Sequence, residues 1–151
     1  WRLRWWFAGV PAGIGRATLR ACVKLWCGFP PTRCGVWSAG NGPAMRSPLL
    51  GALFGDDLPR LREFVRASSR ITHTDPKAEC GALVVAWAVH RAAATRTGAP
   101  PSPAALVAEC RDLLSGEPAA ADLLASLDAL VASLAAGHSV AEYAAALGLS
   151  K

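Results

Sequence analysis

The run DPKAECGALVVAWAVHRAAATRTG, Asp75 to Gly98, constrains the fold more than any other part of the sequence. Asp75 is a good helix N-cap, Pro76 suits the first helical position, and Gly98 stops the helix. Apolar side chains cover nearly its whole circumference, so this helix must be central and surrounded. Its neighbours are expected to be helices as well. Ala is abundant, β-branched and aromatic residues thin out beyond the N-terminal region, and apolar residues recur at spacings of three and four. A hydrophobic fraction of 52% supports a packed core and excludes compositional disorder. The fold class expected from the residues is all-α.

The same spacing predicts the other helices. A helix over Pro11–Trp26 carries Arg16, Arg20 and Lys24 as a solvent-facing basic stripe, with Ile14, Leu19, Val23 and Trp26 turned elsewhere. The Gly- and Pro-rich stretch from Gly28 is a loop leading into a helix that begins near Pro43. Asp56 or Asp57 caps the next helix, with Leu58, Leu61, Phe64, Val65 and Ser68 as its buried stripe and an end near Arg70. Past GAPPSP, Ser102 caps and Pro103 starts a helix to about Leu114. AAADLLASLDALVASLAAG gives a periodic helix ending at Gly137, and Ser139 with Glu142 forms a capping box for a short helix stopping around Gly148. GAPPSP reads as a spacer, and no repeat of fixed period divides the chain, so residues 1–151 are expected to form a single, partial domain.

Several classes of function are set aside on composition. Sixteen Lys+Arg against 11 Asp+Glu leave a net charge of +5, which suits a phosphate-bearing ligand but reads first as solvated surface. No nucleic-acid partner is expected. The cysteines Cys22, Cys27, Cys34, Cys80 and Cys110 form an odd set with no CxxC pair and no zinc-finger spacing, so reduced thiols in the cytoplasm are the expectation. No apolar run is read as reaching the roughly 18 residues of a spanning helix, because Arg16, Arg20 and Lys24 interrupt the candidate. The opening WRLRWWFAGVPAGIG, with Trp1, Trp5 and Trp6, is expected to pack in the core or between domains rather than serve as a signal peptide or membrane anchor.

Chemistry is concentrated in two short stretches. SAGNGPAMR places Ser38, Ala39, Gly40, Asn41 and Gly42 just before a helix, where unpaired backbone N–H groups face the loop's concavity and can hold an anion. Gly40 and Gly42 allow unusual dihedrals and close backbone approach, and Asn41 and Ser38 add polar side chains. The plainer alternative is a tight turn with an Asn cap. His73, in THTDP, precedes a buried helix N-terminus from which an imidazole can reach a phosphate, or it is merely an exposed or capping loop residue. Thr72 and Thr74 read as local hydrogen-bonding residues. Asp56 and Asp57 read as cap and dipole complement rather than a metal site, and Cys80 as an inert core residue. His90, Arg91 and His138 show no sequence spacing that supports a site.

SAGNGPAMR followed by RITHTDPKAECGALVVAWAVHRA resembles the ADP-ribosylglycohydrolase family, the DraG-type and ADP-ribosyl-acceptor hydrolases. LRWWFAGVPAGIGRATLRACVKLWCGFPP and the terminal EYAAALGLSK extend the resemblance over essentially the whole chain. It implies an all-α, multi-helix orthogonal bundle, here incomplete at both ends. It also implies an enzyme that hydrolyses the bond joining ADP-ribose to a protein side chain or related acceptor, using two Mg²⁺ or Mn²⁺ ions. The loop matching Ser38, Ala39, Gly40, Asn41 and Gly42 would wrap the pyrophosphate and adjacent ribose, and His73 would contact a phosphate. Met45 and Arg46 match the motif and are expected to serve packing and loop anchoring.

The departure from the family concerns the metals. The acidic motif with Thr and paired Asp, and the DxDT-type motif, are both missing from these residues, so no catalytic residue, metal ligand or bound cation is expected on this chain alone. The chain reads as the central fragment of a parent enzyme that is a monomer when intact, with ADP-ribose or an ADP-ribosylated substrate as partner. A non-catalytic ADP-ribose or nucleotide-binding module and a structural helical domain are the alternatives.

Overall fold

The computed structural model describes residues 2–9, 12–95, 99 and 101–148. Among these residues the fold is all-α, with one isolated parallel bridge between Val36 and His73 as the only extended pairing. The helices are α1 (Arg2–Ala8), α2 (Arg16–Trp26), α3 (Pro31–Cys34), α4 (Gly42–Arg46), α5 (Pro48–Phe54), α6 (Leu58–Arg70), α7 (Pro76–Ala94), α8 (Pro103–Leu113), α9 (Ala121–Ala135) and α10 (Val140–Ala146). Contacts divide the chain into two compact units, Trp1–Ala99 and Pro100–Lys151, and the division falls inside GAPPSP.

In the first unit α7 is the hub against which α4, α5 and α6 pack. Asp75 caps it by accepting from the Lys77 amide at 2.9 Å, and Ala78, Cys80, Ala82, Leu83 and Ala86 are buried. The stop expected at Gly98 lies outside the described residues, as do Trp1 and the start expected at Pro11. Small residues let the helices approach. A Cβ on Gly51 of α5 would overlap the Ala86 carbonyl of α7, so that crossing requires glycine. Asp57 caps α6 through the Arg60 amide at 3.1 Å, and Leu61 and Val65 are buried as expected. Phe64 instead lies partly exposed, stacked on Phe54 at 4.4 Å, and Ser69 rather than Ser68 takes the third buried position.

The N-terminal helices depart further from expectation. Residues 2–8 form a separate helix, and α2 begins only at Arg16. The buried face of α2 is Ala17, Ala21, Cys22 and Leu25, while Leu19, Val23 and Trp26 are exposed along with Trp5 and Trp6. Large apolar residues drew the expectation, but the small ones on the opposite side fit the close contact. Trp5 meets Trp26 edge-to-face at 6.2 Å.

In the second unit Ser102 caps α8 through the Ala105 amide, and the capping box of Ser139 and Glu142 opens α10. Arg111 of α8 grips Asp128 of α9 with bonds of 2.7 and 2.9 Å, and the Tyr143 hydroxyl donates to the Ser126 carbonyl at 2.7 Å. Pro118–Ala135 is long and apolar enough to cross a bilayer by length and composition, which corrects the expectation of no such run. That window tolerates Asp122 and Asp128 and so escapes a search for uncharged stretches.

Candidate anion-binding site

The loop from Gly35 to Gly42 is held against the turn that joins α6 to α7. Val36 accepts from the Thr74 amide at 2.9 Å and donates to the Thr72 carbonyl at 3.2 Å. A Cβ on Gly35 would overlap the Arg70 carbonyl, so glycine is what lets the two segments lie this close. The loop and the turn form one side of a cavity of about 720 Å³. Leu3, Trp6 and residues Ala12 to Thr18 contribute to its lining as well.

Ser38, Gly40, Asn41, Gly42 and His73 all line this cavity; Ala39 belongs to the same loop but is exposed and absent from the lining. His73 is 4% exposed, so the merely exposed loop histidine is excluded. Its ring lies against the loop: a Cβ on Gly42 would sit 2.9 Å from Cε1, and one on Gly40 would sit 3.1 Å from Nε2. Neither glycine has a positive φ, so their role is close approach, not an unusual dihedral. Asn41 precedes α4 but makes no side-chain cap bond, which removes the capping alternative.

The helix that follows the loop, α4, is short. Five residues are too few to build a macrodipole of consequence, and the donors that remain are local. Gly42 opens the helix ahead of its first intrahelical bond, from the Met45 amide to the Asn41 carbonyl at 3.0 Å. The Gly40 amide is taken by Ser38 Oγ at 3.2 Å.

Arg46 supplies the site's half-covered charge. Its Nε donates to Ser68 Oγ at 2.9 Å, and its Nη2 donates to the Ser68 carbonyl at 2.6 Å and to Thr72 Oγ1 at 2.7 Å. This ties α4 to the end of α6 and anchors the loop. Met45, expected to pack, is 74% exposed beside the cavity. Burial, and then the Arg46 charge, lower the pKa of His73 from its usual 6.5, so the imidazole is neutral near pH 7. The roles of Ser68 and Thr72 escaped motif reading, although their four-residue spacing already put them on one side of a helical turn.

No carboxylate among the described residues lines the cavity. Among the described residues no three His, Cys, Asp or Glu side chains come together in a metal-holding group. Asp57 and Asp75 are caps, and Asp56 is fully exposed 3.9 Å from His90 Nε2. A dinuclear centre, which needs several carboxylate oxygens, does not fit the residues present.

The sequence profile described as ADP-ribosylglycohydrolase matches residues 1–150. The chain belongs to the ADP-ribosylglycohydrolase family. The match spans both compact units. The chain is also similar to an uncharacterized protein of Archaeoglobus fulgidus, at 35% identity over 89 residues, 58% of this chain and 29% of that protein. The matched stretch thus spans less than a third of that relative. No solved structure gives a significant match.

Proposed function

We propose that this chain supplies the phosphate- and ribose-holding part of an ADP-ribosyl hydrolase. In that reading the whole protein cleaves the glycosidic bond joining ADP-ribose to a protein side chain or related acceptor. The observation that carries the proposal is the buried His73 imidazole seated on Gly40 and Gly42, in a cavity to which the described residues bring Arg16 and Arg46 and no carboxylate. Such a cavity favours an anion electrostatically, and its volume suits a ligand of nucleotide size.

The residues here bind and orient. Asn41 and the Gly42 amide face the phosphates, Ser38 the adjacent ribose, and His73 donates to a phosphate oxygen. The family's paired divalent ions would activate water, and their carboxylates are assigned to segments of the whole protein other than those described. The five cysteines, none of them in a disulfide, suit work in the cytoplasm.

Calorimetric titration of the purified chain tests this. ADP-ribose and inorganic pyrophosphate should bind saturably and adenosine should not, and Asn41→Ala should weaken both phosphate ligands. Equal binding of adenosine, or no binding of either phosphate ligand, would sink the reading. Release of ADP-ribose from a modified protein by this chain with added Mg²⁺ would contradict the division of labour.

A further inference from the structure

His73 is neutral, and a neutral imidazole can present either a donor or a bare lone pair to the cavity. Which one it presents decides whether the site attracts or repels an anionic oxygen at that point. The answer depends on what Nδ1 does on the far side of the ring, and Nδ1 lies 2.8 Å from Thr72 Oγ1.

Thr72 has one hydroxyl proton and two lone pairs. Arg46 cannot accept, so its 2.7 Å bond to Thr72 Oγ1 occupies one lone pair. The hydroxyl proton then has two acceptors in reach. The Ser69 carbonyl is 3.5 Å away, beyond the usual length of an O–H···O bond, whereas His73 Nδ1 is at a good distance. Placing the ring proton on Nδ1 would strand the Thr72 hydroxyl, itself 2% exposed, on that poor contact. An imidazolium would put a second cation against the Thr72 oxygen already bound by Arg46. The charge of Arg46 acts on the ring, and among the described residues Arg16 is the other cation in the lining.

We infer that Arg46 and Thr72 are positioning residues that orient the Thr72 hydroxyl toward His73 Nδ1, so that His73 turns a neutral Nε2–H donor toward an anionic phosphate oxygen in the cavity. The relay runs in one direction: Arg46 donates to Thr72, Thr72 donates to Nδ1, and Nε2–H donates to the ligand. Reversal would leave the Thr72 hydroxyl proton only the long 3.5 Å contact to the Ser69 carbonyl. The site therefore favours acceptor-only groups such as phosphate over ligands that present an N–H or O–H at the same point. The identity of the ligand rests on the phosphate reading above; the proton's position does not.

Long-range proton–nitrogen correlation on the ¹⁵N-histidine-labelled, ligand-free chain reads the tautomer directly. The wild type should carry its proton on Nε2, with Nδ1 shifted as a hydrogen-bonded acceptor. In Thr72→Val the Nδ1 resonance should move to the value of an unbonded acceptor and pyrophosphate affinity should fall about tenfold, the size of a lost hydrogen bond to a charged group. Thr72→Ser should restore both. A wild-type proton on Nδ1 would overturn the inference, as would a Thr72→Val chain in which neither the resonance nor the affinity changes. If Thr72→Val fails to fold, the wild-type spectrum decides alone. An Nε2–H tautomer in a chain that binds neither pyrophosphate nor ADP-ribose would uphold the positioning and overturn the phosphate reading.

Discussion

The region from α4 to α7 and the region from α8 to α10 are both helical, but they handle polar groups in opposite ways. In the first, Thr72 and His73 are buried, with a half-covered Arg46 bonded to Thr72, beside a cavity. In the second, the polar bonds named above lie at the surface: caps, the ion pair of Arg111 with Asp128, and the Tyr143 hydroxyl on the Ser126 carbonyl. Burying polar groups is costly unless each finds a partner, and the first region supplies those partners through Arg46, Thr72 and His73, while the second keeps its polar bonds at the surface.

The largest effect that would separate the regions comes from a backbone contact. Gly51→Ala should destabilise the first unit by about 3 kcal/mol, because the added methyl overlaps the Ala86 carbonyl of the hub helix. Urea denaturation measures it, and an unchanged midpoint would mean that α5 and α7 are not crossed this closely. Arg46→Met should follow at about 2 kcal/mol, since it strands Ser68 and Thr72, and it should weaken pyrophosphate binding as well. Loss of stability without loss of affinity would reduce Arg46 to a brace.

A smaller effect depends on pH. The folded chain holds the His73 pKa below its usual 6.5, so its contribution to stability is complete above that value and is lost as pH falls toward the folded pKa. His73→Gln should flatten that part of the stability profile, and an unaltered slope would count against a buried neutral imidazole. At the bottom of the scale, Asp128→Asn should cost about 0.5 kcal/mol and leave pyrophosphate affinity untouched, because the pair is half exposed.

How much of this was legible in the sequence follows the same division. Caps are local signals, and Asp57, Asp75, Ser102 and Ser139 all cap as their spacing indicates. The all-α fold and the family were legible too, the family through SAGNGPAMR and ITHTDP rather than through periodicity. Burial on α2 was not, because Ala17, Ala21 and Cys22 outcompete Leu19, Val23 and Trp26 where small side chains permit closer packing. The Arg46–Thr72–His73 chain was illegible for another reason: it joins residues from α4 and the α6–α7 turn, and only tertiary structure brings their donors and acceptors together.

The central claim, a phosphate site confined to the loop Ser38–Gly42 and His73, is tested most directly by amide chemical-shift mapping as ADP-ribose is added to the labelled chain. Saturable shifts are expected at Gly40, Asn41, Gly42 and His73, with α8 to α10 unmoved. Shifts centred on α8 to α10, or no saturable shift at the loop, would contradict it.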